Sequence, residues 1–351
     1  MSRYRIAVIP GDGIGVEVTA PTVDLLEHLA DRAGFEIAFD HFDWSCARYQ
    51  ETGAMMPPDG LDQIRDHDAI LLGAVGWPGV PDHVSLWGLL IPIRRRFQQY
   101  VNLRPISVMP GLPGPLRDPG EVDFVVVREN VEGEYSEIGG RFSTGTAQEM
   151  AVQEAVFTRA GVTRIVDYAF DLATTRRGHV TSATKSNGIV HTMPFWDEIV
   201  RERAERQPSV SWRQEHIDAL AAKLVLDPSS FDVIVGSNLF GDILSDLAAA
   251  VAGSIGIAPS ANLDPERDFP SMFEPVHGSA PDIAGKGIAN PIGALWSASM
   301  MLDHLGEKRS GDALLAAIRA TLADGDVRTP DLGGTATTRE LAAAVQEAIS
   351  L

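Results

Sequence analysis

The sequence predicts an α/β fold. Three observations carry that expectation. Short apolar runs rich in β-branched residues alternate with longer stretches of helical periodicity. The first such run enters a glycine-rich turn. The 351 residues are enough for about two domains. Buried strands are expected at 5–9 (RIAVI), 69–72 (AILL), 122–127 (VDFVVV), 180–184 (VTSAT) and 231–235 (FDVIV). Helical periodicity falls at 16–33, 85–100, 151–174, 192–206, 217–226, 242–252, 292–305, 312–322 and 338–349. Pro21 sits early in the first of these and disturbs its boundary. Segments 105–118 and 253–270 are rich in Pro and Gly and read as crossings or loops.

Composition narrows the function classes. With 44% hydrophobic and 22% charged residues, the chain is neither mostly disordered nor collagen-like. Its net charge of −19 argues against non-specific binding to nucleic acid or to an anionic membrane. The one cysteine, Cys46, excludes an intrachain disulfide framework and a Cys-rich zinc or iron–sulfur site. It also fits a reducing cytoplasm. The start lacks the apolar stretch and cleavage site of a signal peptide. The longest uncharged runs, 247–263 and 287–302, are broken by Gly, Pro, Ser and Asn and fall short of the roughly 20 apolar residues of a spanning helix. A soluble, cytoplasmic protein is expected.

Four motifs carry chemistry. GDGIG at 11–15 follows the first strand, but GxGxxG would need glycine where Val16 stands. On pattern alone it reads as a tight turn in preference to a cofactor contact. Walker A, HExxH, GxSxG and CxxC are all absent. In SNLFGDILSD, Asp242 and Asp246 lie four apart and share a helix face. They follow a buried strand, where open α/β sheets bind ligands, and all-oxygen ligands suit Mg²⁺ or Mn²⁺. Asp218 is a third candidate ligand. From these residues alone, a metal site and a solvated helix face stay equally open. Arg94, Arg95 and Arg96 are consecutive, with Arg104 and Arg128 at strand edges. Arginine forks hold carboxylates bidentately, and at least one of the triplet should be structural. Tyr135 and Lys185 complete the set. Lys185 follows a strand, and only a crowded cationic site would bring its pKa from about 10.4 towards 7.

Together these motifs resemble the β-decarboxylating dehydrogenases, the isopropylmalate, isocitrate, homoisocitrate and tartrate/D-malate dehydrogenases that oxidise 2-hydroxy acids. The resemblance spans nearly the whole chain. IPGDGIG (9–15), LLGAVGWP (71–78), YVNLRP (100–105), VVRENVEGEYSEIGGR (126–141), TKSN (184–187), GSNLFGDILSD (236–246) and EPVHGSAPDIAGKGIANP (274–291) carry it. It implies two α/β domains of isopropylmalate/isocitrate dehydrogenase type and not a Rossmann fold. Residues 1–99 and 254–351 would form the larger domain, with the NAD-binding loops. Residues 100–253 would form the smaller one, with the dimer interface and the metal-binding aspartates. It further implies that Arg94, Arg104 and Arg128 hold the malate-like carboxylate. Asp242 and Asp246 would bind Mg²⁺ or Mn²⁺ with Asp218 of a second subunit. Lys185, also from that subunit, would be the general base, and Tyr135 would deliver a proton to C3. A homodimer with shared active sites follows from the same resemblance.

The cofactor and substrate pocket follow similarly. HGSAPDIAGKGIAN (277–290) looks like the loop that wraps adenosine, with His277, Gly278, Ser279, Ala280 and Asn290 as contacts. Asp282 matches the carboxylate that accepts from ribose hydroxyls. NADP-using relatives tend to carry Lys there, so NAD is expected. In the run SLWGLLIPIR (85–94), Trp87 stands where isopropyl-accepting relatives carry Glu, and Leu90 follows as a pocket residue. With PGLPGPLRDPG (110–120), that run looks closest to the tartrate/D-malate branch. Leu89–Pro92 departs from it, since a more polar residue and no proline would be usual. Relatives on that branch often use K⁺ as well, but no residue assigns it a place. The expected ligand is a small 2-hydroxy dicarboxylate: D-malate or tartrate, with 3-isopropylmalate as the alternative. A catalytically inactive anion-binding subunit is the rival of another class. It is opposed by the presence of Tyr135, Lys185, Asp218, Asp242 and Asp246 together.

Overall fold

A computed structural model describes residues 2–112, 114–117, 120–253 and 255–351. Pro113, Asp118, Pro119 and Ser254, which fall in the two expected loops and in the 110–120 motif, lie outside the described residues. In chain order the strands are β1 (Arg3–Gly11), β2 (Glu36–His41), β3 (Ala69–Ala74), β4 (Val101–Ser107), β5 (Asp123–Glu129), β6 (Gly139–Phe142), β7 (Met150–Gln153), β8 (His179–Thr184), β9 (Ser211–His216), β10 (Val233–Gly236), β11 (Pro259–Leu263) and β12 (Ser271–Pro275). The chain forms two compact units. The first comprises Met1–Gln99, Ser107–Pro115 and Ala249–Leu351, the second Tyr100–Ile106 and Leu116–Ala248. Relative to the expected division, residues 107–115 and 249–253 lie in the first unit.

In the first unit the strand order is β2-β1-β3-β12-β11. All neighbouring pairs are parallel except β11 with β12. Its core gathers Ile9, Trp44, Ile70, Leu72, Leu89, Ile93, Phe97 and Met272. The helix Ile14–Ala33 runs straight through Pro21 and buries Val18, Leu25, Leu26 and Leu29. That packing outweighs the one backbone bond that proline removes. In the second unit the order is β4-β5-β10-β8-β9, and β5, β10, β8 and β9 pair in parallel. β10 is wholly buried and β5 is buried beyond its first residue, as a sheet covered on both faces requires. Strands β6 and β7 form a separate antiparallel ribbon, exposed along its length.

Two helical expectations need correction. The stretch 85–100 is not one helix. It breaks into Asp82–Ser85, a π-helical turn at Leu86–Leu90, and Ile91–Arg96. Pro92 has no N–H to give the carbonyl four residues back. The register slips at this point, and Ile91 N–H bonds Leu86 O, five residues back. The stretch 151–174 starts too early. Residues 150–153 pair as β7, and the helix begins at Arg159, after Thr158 caps it by accepting from Gly161 N–H. The segment 253–270, expected as loop, contains β11. Among the described residues, no helix is long and apolar enough to cross a membrane.

Candidate active site

The second unit gathers its reactive side chains at the C-terminal ends of its parallel strands. Gly236, the last residue of β10, lies opposite Arg128 of β5. The chain then turns into the helix Asn238–Ala252. Gly241 lets that helix lie against β5, because a Cβ there would stand 2.6 Å from Arg128 Cβ. Glu134 holds the turn. It accepts from Ser237 Oγ at 2.7 Å and from Leu239 N–H at 3.1 Å, which satisfies a helix-start donor.

Asp242 is the junction of this cluster. Its Oδ1 accepts from Arg128 Nη1 and lies 3.4 Å from Arg104 Nη2. Its Oδ2 accepts from Tyr135 Oη at 3.0 Å. Arg104, mid-way along β4, also donates to Ser245 Oγ at 2.6 Å and to Asp246 Oδ1 at 3.3 Å. Arg128 grips Asn238 Oδ1 through Nε and Nη2, at 3.1 and 2.7 Å. Both arginines are buried, whereas Asp246 keeps 58% of its side chain exposed. Burial, then the Asp242 carboxylate, raises the Tyr135 phenol above its ordinary range, so it stays protonated at neutral pH. Burial also raises Asp246, opposed by Arg104.

Lys185 and Asp218 form a second constellation. Lys185 follows β8 and donates from Nζ to Asp218 Oδ1 at 2.6 Å, across strands paired at Thr184 and His216. That bond lowers the Asp218 carboxyl below its usual range. Asp218 does not join Asp242 and Asp246 within this chain. Among the described residues, no three His, Cys, Asp or Glu side chains come together as a metal group.

The first unit holds the remaining expected residues. Arg94 is buried and donates from Nη2 to Glu274 at 2.8 Å, leaving its Nε without a partner. Asn262 donates to the same Glu274 oxygen. Trp87 sits on the π-helical turn beneath the Arg95 guanidinium, 4.9 Å from its ring. Leu90 packs against the core cluster. The GDGIG run serves as a close-packed turn. Cβ atoms at Gly11 and Gly13 would fall 2.0 Å from Ala74 O and 2.1 Å from Ser279 O. Asp12 braces the turn by accepting from Cys46 N–H and Gly76 N–H.

A cavity of about 510 Å³ opens in this unit, with Ile14, Ile255, His277, Ile288, Asn290 and Asp331 in its lining. Burial lowers the His277 imidazole, which is therefore neutral near pH 7. Its Nδ1 meets Gly278 O at 3.0 Å, and its buried Nε2 has no partner. Asn290 is largely committed. It donates to Asp331 at 2.9 Å and accepts from Ile292 N–H at 3.0 Å. Ser279 is buried, Gly278 is exposed, and Ala280 has a positive φ of 39°. Asp282 is exposed. Sequence reasoning missed Asp331, Glu134, Asn238, Ser245 and Glu274. Glu134, Asn238, Ser245 and Glu274 stood inside quoted motifs, but nothing local marked what they hold.

A family model described as isocitrate/isopropylmalate dehydrogenase matches residues 5–345. The D-malate dehydrogenase (decarboxylating) of Escherichia coli strain K12 is 55% identical over 98% of both chains. The tartrate dehydrogenase/decarboxylase of Pseudomonas putida is 55% identical over 99% of this chain and 98% of its own. The crystal structure of isocitrate dehydrogenase from Methylococcus capsulatus matches with a TM-score of 0.89 at 34% identity, over 98% of this chain and 99% of that one. The apo β-decarboxylating dehydrogenase of Thermococcus kodakarensis matches with a TM-score of 0.78 at 40% identity, over 98% and 96%.

Proposed function

This chain belongs to the isocitrate/isopropylmalate dehydrogenase family, and from that premise we propose that it catalyses the NAD-dependent oxidative decarboxylation of a malate-type 2-hydroxy acid. D-malate, giving pyruvate and CO₂, is the first substrate, and tartrate is oxidised at the same site. Two relatives named for these substrates, each 55% identical over nearly the full length, support the choice. The observation that carries the chemistry is Asp242, one carboxylate shared by two buried arginines and a protonated tyrosine.

The donor set fits a hard divalent cation, Mg²⁺ or Mn²⁺. Asp242 and Asp246 offer only oxygens, and a cation beside the Asp246 carboxyl would offset the burial that raises it. The cavity fits a dinucleotide's adenosine end. Its lining is largely apolar, with the unpartnered His277 Nε2 as a polar handle. When bound, the nicotinamide supplies the acceptor for the C2 hydride, and the cation supplies Lewis acidity at the C2 oxygen.

The chain's own groups do the rest. Arg104 and Arg128 orient the substrate carboxylates through charged forks. Lys185 accepts the proton of the C2 hydroxyl, directly or through water. Once CO₂ has left C3, Tyr135 returns a proton there, a role its raised pKa suits. Asp282 presents a negative charge where a 2′-phosphate would approach, which favours NAD over NADP.

Lys185 and Asp218 serve the site of a partner subunit in a homodimer. Of the twelve large apolar side chains exposed among the described residues, nine lie in the second unit, and the β6–β7 ribbon carries Phe142, Met150 and Val152. Such a concentration is what an interface between copies buries. A cytoplasmic location fits a chain whose single cysteine is buried, its thiol pushed up to about 12 by burial.

The test is NADH formation by the purified protein with Mn²⁺ and K⁺. The panel is D-malate, the tartrate isomers, 3-isopropylmalate and isocitrate, with L-malate as stereochemical control. The highest kcat/KM should fall on D-malate or a tartrate. The highest value on 3-isopropylmalate would overturn the substrate and keep the mechanism, while no turnover on any of them would revive the inactive-subunit reading.

A further inference from the structure

The loop 277–290 is held in place largely from outside itself. Within it, the backbone is tied by two turn bonds, Ile283 N–H to Ala280 O at 3.1 Å and Lys286 N–H to Ile283 O at 3.2 Å. The firmer anchors come from elsewhere in the first unit. Ile14 N–H donates to Ser279 O at 2.9 Å. One helical turn further on, the two oxygens of Glu17 accept separately from the N–H groups of Gly285 and Gly287. Both glycines have positive φ, 78° and 66°, which turns successive N–H groups toward one carboxylate. Thr338 closes the far side. Its N–H donates to Gly287 O at 2.9 Å and its Oγ1 to Ala289 O at 2.6 Å.

Glu17 forms no ion pair among the described residues. Its full charge therefore acts on two backbone donors, and charge-assisted bonds of this kind are about twice as strong as neutral ones. The segment between the Ser279 and Ala289 anchors carries Asp282. The same segment supplies Ile283 and Ile288 to the wall of the 510 Å³ cavity, alongside Ile14 and Ala250 of two helices.

We propose that Glu17 is a positioning residue for the dinucleotide: by gripping the N–H groups of Gly285 and Gly287 it fixes the cavity wall and the Asp282 carboxylate that receive the adenosine end. This rests on the reading of 277–290 as the adenosine loop. Glu17 itself touches no reacting atom, so its removal acts on cofactor affinity and not on the chemical step.

The test compares Glu17→Ala, Glu17→Gln and His277→Ala in the full-length protein. NAD and D-malate are varied in turn with Mn²⁺ present, and NADH binding is followed by its fluorescence without substrate. Glu17→Ala should raise the KM for NAD and weaken NADH binding by about tenfold or more, as loss of two charge-assisted bonds implies. The KM for D-malate and the kcat at saturating NAD should change by less than about threefold. Glu17→Gln keeps one acceptor oxygen but turns a donor toward the second N–H and loses the charge, so it should recover only part of the loss. If Glu17→Ala is not recovered folded, the isosteric Glu17→Gln carries the test alone, with a rise of about threefold expected. An unchanged KM for NAD in the Glu17 variants, with His277→Ala weakened, overturns the positioning role and leaves the loop reading intact. If none of the three shifts, the loop reading fails and the proposal fails with it. A parallel loss in both KM values and in kcat marks Glu17 as a general fold support and also overturns the proposal.

Discussion

The Asp242 cluster and the 277–290 loop are built on opposite principles. In the cluster, side chain meets side chain. Arg104, Arg128, Tyr135 and Asp242 each satisfy another member, so no group can be changed without releasing a second. In the loop, backbone meets backbone, and the few side chains involved, Glu17 and Thr338, hold N–H and C=O groups. The cluster is therefore sensitive to the identity of almost every residue, while the loop is sensitive to a few anchors and to its glycines. Damage to the first should appear in kcat, and damage to the second in the KM for the cofactor.

The largest effect should come from the proton-transfer groups. Lys185→Met should lower hydride transfer by about ten-thousandfold, near the upper limit for a general base, while Mn²⁺ binding measured by electron paramagnetic resonance survives. Near-normal turnover would remove Lys185 from the mechanism. Tyr135→Phe should cost about a hundredfold in kcat with the KM for NAD unmoved, read from initial rates. A shift in the NAD KM instead would erase the contrast between the two regions.

Next in size is the loop. Asp282→Lys should move the ratio of kcat/KM for NAD over NADP by about tenfold or more toward NADP, as reversal of one charge beside a phosphate implies. An unchanged ratio would sink the assignment of that carboxylate. The smallest effect concerns stability. Glu129, fully buried, accepts from the N–H groups of Val131 and Glu132 through one oxygen, and burial, opposed by Arg164, pushes its carboxyl up to about 7 from 4.5. Because the folded value is the higher one, its contribution is fully present below pH 4.5 and is lost as pH rises through about 7. Glu129→Gln should thus gain on the parent as pH rises from 6 to 9, by about 1 kcal/mol, seen as a diverging Tm. Parallel Tm curves would show that Glu129 ionises in the folded protein as it does in the unfolded chain, and would overturn its raised pKa.

Much of the fold was legible. Helices 192–206, 217–226 and 292–305 appear at the expected residues, because apolar positions at helical spacing and their terminal punctuation agree there. Strand β9 (SWRQEH) was not anticipated, since it stands at the end of its sheet and lacks the apolar run that marks a central strand. The four-residue spacing of Asp242 and Asp246 was readable because helix geometry is local. What Glu134 does was not, because its partner Leu239 is 105 residues away and only the folded sheet brings them together. The same holds for Arg94, whose pairing with Glu274 spans 180 residues.

The π-helical turn at Leu86–Leu90 has a consequence for how such a chain can change its habits. One surplus residue in a turn rotates everything before it by about 100° relative to a regular helix. Trp87 therefore faces where a neighbouring residue would otherwise point, and Pro92, five positions along, sets that heading. On the proposed reading of Trp87 as a pocket residue, Pro92 is a second handle on substrate preference, acting through the heading of the helix segment before it.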